Sequence, residues 1–202
     1  MQISEIFYSL QGEGQLAGVP SVFVRTSGCN LRCAWCDTKY ASWHPEAREM
    51  TPEDVRAEVL RHPSRFVVLT GGEPVAAEGI RDLAAALRRH GRHITIETNG
   101  TLPPDGISTD LVSLSPKLRN SEPAADRFPG EARAQTENRR LNVAALRAWI
   151  DAYEYQLKFV VEGKQDIGEI QALLGRLERT VPPERVLLMP EGVDPEIGRA
   201  HV

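Results

Sequence analysis

Phe66-Val67-Val68-Leu69-Thr70-Gly71-Gly72-Glu73-Pro74 is the stretch that decides the fold. An apolar run this short, stopped by a glycine pair and a proline, suits a buried strand. Reading outward, similar runs alternate with helical segments. Upstream, Thr51-Pro52-Glu53-Asp54 reads as a helix start, with a threonine cap, proline at the first position and acidic residues behind it; the helix runs to about Arg61. Downstream, Gly79 to His90 carries Ile80, Leu83, Ala84 and Leu87 at helical spacing, and Gly91 supplies the stop. His93 to Glu97 is the next strand and ends in Thr98-Asn99-Gly100, and Leu111 to Leu114 is another. Residues 142–151 and 166–179 read as helices, and Leu157 to Val161 and Val186 to Met189 as strands.

This alternation from about residue 50 onward predicts a parallel sheet with helices packed on it. Two earlier segments, residues 3–8 and 21–26, are short β-branched and aromatic strands joined through the turn-forming Gln11-Gly12-Glu13-Gly14. Parallel strands that fall short of eight predict an α/β fold of the incomplete, TIM-like β/α barrel type. The 202 residues form one domain, with 119–141 as an irregular polar excursion. Thr70-Gly71-Gly72, Thr98-Asn99-Gly100, Ser115-Pro116-Lys117 and the Lys158 region fall at or near the C-terminal ends of strands, the rim that carries the site in parallel α/β folds.

Composition narrows the class. Lys and Arg number 24 against 28 Asp and Glu, a net charge of −4, which disfavours general binding to nucleic-acid backbones. No apolar run approaches the roughly 20 residues of a membrane span. Met1 to Leu10 lacks the basic start and long apolar stretch of a signal peptide, so the expected location is the cytoplasm.

The three cysteines are Cys29, Cys33 and Cys36. An odd number leaves no complete disulfide framework, and three clustered thiols point to metal or redox chemistry. Thiolates suit iron–sulfur clusters or zinc. A [4Fe–4S] cluster held by three cysteines keeps one iron without a cysteine ligand, free to bind a small molecule. Zinc with His44 as fourth ligand would need an unusual spacing, and a dithiol at Cys33 and Cys36 would leave Cys29 without a part.

Cys-x3-Cys-x2-Cys with Trp35 before the third cysteine resembles the signature of the radical S-adenosylmethionine superfamily. Gly71-Gly72-Glu73-Pro74 is similar to its methionine-binding motif. A narrower resemblance covers nearly the whole chain, to the 7-carboxy-7-deazaguanine synthases of 7-deazapurine (queuosine) biosynthesis. It rests on Ser9-Leu10-Gln11-Gly12-Glu13-Gly14, Phe23-Val24-Arg25, Cys36-Asp37-Thr38, Thr70-Gly71-Gly72-Glu73-Pro74, Glu97-Thr98-Asn99-Gly100, Ser115-Pro116-Lys117 and Gln156-Leu157-Lys158-Phe159, all in order.

That resemblance implies a ring-contracting lyase acting on 6-carboxy-5,6,7,8-tetrahydropterin. The product is 7-carboxy-7-deazaguanine, ammonia is lost, and S-adenosylmethionine is regenerated. It implies a [4Fe–4S] cluster on Cys29, Cys33 and Cys36, and Mg2+ on the hydroxyl of Thr38, a hard oxygen of the kind magnesium prefers. It places Trp35, Cys36, Asp37, Gly72, Glu73, Ser115, Pro116, Lys117, Gln156, Leu157, Lys158 and Phe159 around S-adenosylmethionine. It places Leu10, Gln11, Gly12, Glu13, Arg25 and Thr70 around the pterin, with Arg25 pairing the substrate carboxylate. An external flavodoxin-like or ferredoxin-like electron donor and a homodimer complete the expectation. Two rivals stay open. A glycyl-radical activating enzyme would share the cysteines but lack Gln11 to Gly14 and the Cys36-Asp37-Thr38 motif. A zinc- or cluster-bearing electron-transfer module would show no cofactor cleavage. The C-terminal Gly198-Arg199-Ala200-His201-Val202 matches no motif.

Overall fold

The computed structural model describes residues 1–124 and 140–192. Most of the 119–141 excursion and the C-terminal tail lie outside the described residues. Eight strands form one sheet: β1 (Gln2–Leu10), β2 (Pro20–Thr26), β3 (Arg48–Glu49), β4 (Phe66–Gly71), β5 (His93–Thr98), β6 (Leu111–Leu114), β7 (Tyr155–Val161) and β8 (Val186–Pro190). Their order is β3-β1-β2-β4-β5-β6-β7-β8, so β3 and β8 are edges and the sheet is not closed into a ring. From β2 through β8 every neighbouring pair is parallel, whereas β1 runs antiparallel to β2 and to β3. The fold is therefore the partial β/α barrel expected, with an antiparallel extension at one edge.

The helices are α1 (Lys39–Ser42), α2 (Pro52–Leu60), α3 (Ile80–Arg89), α4 (Val143–Ala152) and α5 (Lys164–Arg176), and the four longer ones follow from their local sequences. At α2, the Thr51 hydroxyl accepts from Asp54 N at 3.1 Å while the Asp54 carboxylate accepts from Thr51 N at 3.3 Å, a reciprocal capping box. Asn142 caps α4 by accepting from Ala145 N. In α3, Ile80, Leu83, Ala84 and Leu87 are all buried, as their spacing predicts. The short α1 and the two-residue β3 carry no periodicity long enough to read.

The alternation of side chains along each strand divides the sheet into two chemistries. One face carries Val22, Val24, Val67, Leu69, Ile94, Ile96, Val112, Leu114, Leu157 and Phe159, which join the helices in the apolar core. The other carries a polar row at matched register: Arg25 beside Thr70, then Glu97 beside Ser113 and Ser113 beside Gln156. Lys158 lies on this face mid-strand in β7, not at the strand end. The barrel interior is thus polar, and the site is built there.

Candidate active site

A cavity of about 360 Å3 opens on the polar face, within the ~300–1,000 Å3 range of small-ligand sites. All three cysteines line it. Their loop follows β2 and is held from several sides. Gly28 N donates to Ala41 O at 2.7 Å, Ala34 N donates to Ser121 O at 3.0 Å, and Arg32 folds back to donate to the carbonyls of Cys29 and Leu31. Burial pushes the Cys29 thiol up to about 12 and raises Cys33 as well, so both are neutral thiols until iron replaces the proton. Among the described residues no three His, Cys, Asp or Glu side chains gather tightly enough to hold one metal ion. Three soft ligands around a shared cavity, without a tight mononuclear site, fit thiolates divided among the irons of a cluster better than a single tetrahedral zinc.

The glycine pair after β4 has a structural cause. A Cβ on Gly72 would stand 2.1 Å from Gly28 O, and one on Gly71, whose φ is +136°, would stand 2.2 Å from Thr26 O. The glycines let β4 approach the backbone leading into the cysteines, and both also line the cavity. Glu73 is 1% exposed and lies behind the lining. Its carboxylate accepts from Val75 N at 3.1 Å, Thr98 Oγ1 at 2.7 Å and Asn99 N at 2.8 Å, while its own N donates to Gly28 O. Burial pushes its carboxyl above the usual range, and those three donors offset part of the effect. Glu73 therefore clamps the ends of β4 and β5 to the cysteine loop.

Trp35, Asp37, Ser115 and Lys117 line the cavity beside the cysteines. Lys117 Nζ donates to Ser115 Oγ at 2.8 Å and sits 5.1 Å from the centre of the Trp35 ring. Trp35 is oriented from behind: its Nε1 donates to Asn120 Oδ1, and Asn120 Nδ2 donates to the buried carboxylate of Asp166 at 3.1 Å. The Thr38 hydroxyl makes no capping bond to α1 and faces the cavity 3.8 Å from Cys36 Sγ.

Across the cavity, the loop after β1 folds over the polar row. Gln11 Nε2 donates to Glu97 Oε1 at 3.0 Å, and Gln11 Oε1 accepts from Glu13 N. Glu13 pairs with Lys158. Burial alone would lower Lys158, but Glu97 and Glu13 outweigh it and hold its ammonium above the ordinary value. Thr70 Oγ1 donates to Glu97 Oε2 at 2.9 Å. Arg25 lines the cavity and uses its Nε on Glu5 at 2.7 Å; among the described residues its terminal guanidinium nitrogens carry no hydrogen bond. Leu10 and Gly12 complete this wall.

Sixteen of the residues singled out in the sequence share this one cavity; Glu73, Pro116, Gln156, Leu157 and Phe159 do not line it. Leu157 and Phe159 alternate with Lys158 and fall on the core face, each 0% exposed. Gln156 points inward but is covered by the β1 loop, with its Oε1 accepting from Gln15 N and its Nε2 donating to Ser113 Oγ. Pro116 is buried behind Ser115. Phe23, Glu97 and Asn99, which lie in motifs of the resemblance but were assigned no role, also line the cavity, as does Ser42, which no motif singled out. The signal for Glu97 was present in His93-Ile94-Thr95-Ile96-Glu97, where polar residues alternate with apolar ones.

Residues 23–111 match the model of the Radical SAM superfamily. The chain is 48% identical over 200 residues to a 7-carboxy-7-deazaguanine synthase of Halobacterium salinarum, covering 95% of this chain and 77% of that protein. It is 49% identical to one of Rhodopirellula baltica, covering 96% of this chain and 74% of that one. The crystal structure of QueE from Escherichia coli superposes with a TM-score of 0.71 at 28% identity, covering 98% of this chain and 86% of the other. TYW1 with a lysine-pyruvate adduct bound, at 13% identity and a TM-score of 0.59, shares the fold alone. Similarity of this depth runs the length of the chain and takes in both the cysteine loop and the opposite wall, so the chain belongs to the 7-carboxy-7-deazaguanine synthase family of radical S-adenosylmethionine enzymes.

Proposed function

We propose that the chain catalyses the ring contraction of 6-carboxy-5,6,7,8-tetrahydropterin to 7-carboxy-7-deazaguanine, with loss of ammonia. One observation carries this reading. A single cavity has the three cysteines on one wall and Gln11, Glu13, Arg25 and Thr70 on another, so a cofactor on the first would meet a polar heterocycle on the second.

Cys29, Cys33 and Cys36 would hold a [4Fe–4S] cluster. Trp35, Asp37, Gly72, Ser115, Lys117 and Lys158 would contact S-adenosylmethionine. When bound, these groups supply a carbon radical that abstracts hydrogen from substrate. The chain's own residues do the positioning. Lys158 fixes one carboxylate oxygen of Glu13, leaving the other to accept from the amino edge of the pterin. The free guanidinium fork of Arg25 suits the substrate carboxylate in bidentate fashion, while Glu5 anchors its Nε. Gln11 and Thr70 both hold Glu97, which fixes the polar row beneath the ring.

The hydroxyl of Thr38, which makes no capping bond and meets only the distant Cys36 sulfur at 3.8 Å among the described residues, supports a Mg2+ site completed by substrate oxygen and water, in keeping with the octahedral oxygen shell of that ion. The cluster needs an outside reductant, which we take to be a flavodoxin-like or ferredoxin-like protein. A homodimer in the cytoplasm completes the proposal. No helix among the described residues is long and apolar enough to cross a membrane.

The test is anaerobic reconstitution followed by turnover of the tetrahydropterin, with and without added magnesium. The expected result is deazaguanine product that depends on S-adenosylmethionine and is stimulated by magnesium. An intact, reducible cluster that yields 5′-deoxyadenosine but no deazaguanine overturns the substrate, and four-cysteine-like stability of the cluster without cofactor cleavage overturns the chemistry.

A further inference from the structure

The peptide that follows the third cysteine turns back on it. α1 begins immediately after Thr38, whose carbonyl accepts from Ala41 N at 2.9 Å and from Ser42 N at 3.1 Å. Those two donors fill the two lone pairs of that oxygen. The Ser42 hydroxyl lies 2.9 Å from the same crowded carbonyl and 3.0 Å from Cys36 Sγ. Ser42 is 3% exposed and lines the cavity beside the sulfur.

A hydroxyl has one proton to give. A cysteine bound to iron is a thiolate, which accepts and cannot donate. Between a carbonyl already served twice and an anionic sulfur at 3.0 Å, the proton goes to the sulfur. We infer that Ser42 is a positioning residue that donates a hydrogen bond to the Cys36 thiolate and thereby sets the reduction potential of the cluster. The inference rests on the cluster assigned above. Cys36 is singled out in this respect. Cys29 Sγ accepts a long bond of 3.4 Å from Leu31 N, and the Cys33 sulfur meets its own backbone N–H, so of the three only Cys36 has a side-chain hydroxyl at 3.0 Å among the described residues.

The direction follows from charge. One-electron reduction, with the electron coming from the external reductant, adds negative charge to the cluster and its thiolates. A donor aimed at one of those sulfurs stabilises the reduced state more than the oxidised state, and so raises the potential. Removing the hydroxyl should make the cluster harder to reduce. The backbone bonds from Ala41 and Ser42 to Thr38 do not depend on the Ser42 side chain, so α1 stays closed in the variant.

Wild type, Ser42→Ala and Ser42→Thr are reconstituted anaerobically as full chains. Iron and sulfide are counted, and midpoint potentials are read by redox titration followed by electron paramagnetic resonance. The expected result is a full cluster in Ser42→Ala, with a reduction equilibrium shifted about tenfold toward the oxidised form, or ~59 mV for one electron. Ser42→Thr, which keeps the hydroxyl, should return toward the wild-type midpoint. A wild-type midpoint in a fully loaded Ser42→Ala overturns the inference. So does an equal shift in Ser42→Thr, or loss of the cluster from Ser42→Ala, which would make the serine a structural support of the loop. A wild-type chain that takes up no iron overturns the cluster assignment itself.

Discussion

Gly72→Ala separates two reasons for a glycine in the Gly71-Gly72-Glu73-Pro74 stretch, proposed to meet the methionine end of the cofactor. If the glycine serves only the ligand's approach, alanine leaves the unliganded fold intact and weakens cofactor binding. The structure gives the other answer. The new Cβ would lie 2.1 Å from Gly28 O, 2.5 Å from Gly28 C and 3.0 Å from Ala41 O. These are backbone atoms and cannot rotate away. Gly28 O would have to retreat by about 0.9 Å to reach the shortest contact a real Cβ makes. Its bond from Glu73 N, 2.9 Å long, is the first casualty. Overpacking of this kind costs ~1–3 kcal/mol, and the strained hydrogen bond adds ~0.5–1.5 kcal/mol. Urea denaturation of the cluster-free chain should therefore show a loss of about 2–4 kcal/mol. Gly168→Ala is the control: it lies inside α5 with nothing within 4 Å of the new methyl, and alanine there should stabilise the helix by ~0.5–1 kcal/mol. Because Gly28 precedes Cys29, Gly72→Ala should also take up less iron. An unliganded Gly72→Ala chain with wild-type stability and wild-type iron uptake would refute the reasoning and restore the ligand-approach account.

Cys29, raised from 9.0 to about 12 by burial, contributes stability to the cluster-free fold that is complete below pH 9 and is lost as pH rises toward 12. The slope is about 1.4 kcal/mol per pH unit in that window. Denaturation of wild type and Cys29→Ala at pH 8 and pH 10 should diverge by about that amount between the two pH values, and parallel curves would count against the burial argument. Lys158→Gln removes the partner of Glu13 and leaves two carboxylates facing each other, so KM for the pterin should rise about tenfold, a loss of ~1.4 kcal/mol after discounting for the exposure of Glu13. An unchanged KM in steady-state turnover would show that the pair does not set the wall. Asn120→Ala frees the Trp35 indole, which costs one hydrogen bond of ~1 kcal/mol, and S-adenosylmethionine affinity should fall about fivefold in equilibrium binding to the reconstituted enzyme. Unaltered affinity would show that Trp35 is held by packing alone.

Long periodic segments were legible because one physical rule governed each. Thr51-Pro52-Glu53-Asp54 forms its capping box, and Phe66 to Gly71 forms a strand, because local chemistry and the global fold agree there. α1 and β3 were not legible: four residues and two residues hold no period, and their visible partners are distant in sequence, β1 for β3 and Gly28 of the cysteine loop for α1. In the site, the cysteines could be read from spacing. Glu73 and Gln156 could be read as important but not as what they are, because their partners lie 25 and 43 residues away in Thr98 and Ser113, and only the sheet brings those together. Leu157 and Phe159 share a motif with Lys158, yet strand alternation sends them to the opposite face.

That alternation explains how so short a chain builds a site for two large ligands. A barrel with its interior packed by branched apolar residues leaves no room there. Here the inward positions of β2, β4, β5, β6 and β7 are Arg25, Thr70, Glu97, Ser113 and Lys158, and the apolar packing is confined to the outward face beneath the helices. The polar row would be costly if left half-paired. The β1 loop supplies the missing partners, with Gln11 on Glu97, Glu13 on Lys158 and Gln15 N on Gln156. The loop proposed to read the substrate is thus also the element that makes a polar interior tolerable. Gly14 follows from the same contact: at φ +77°, it has the Gln156 side chain where a Cβ would be. Stability and specificity in this half of the cavity therefore depend on the same few residues, and a substitution that loosens the loop should weaken pterin binding and the fold together.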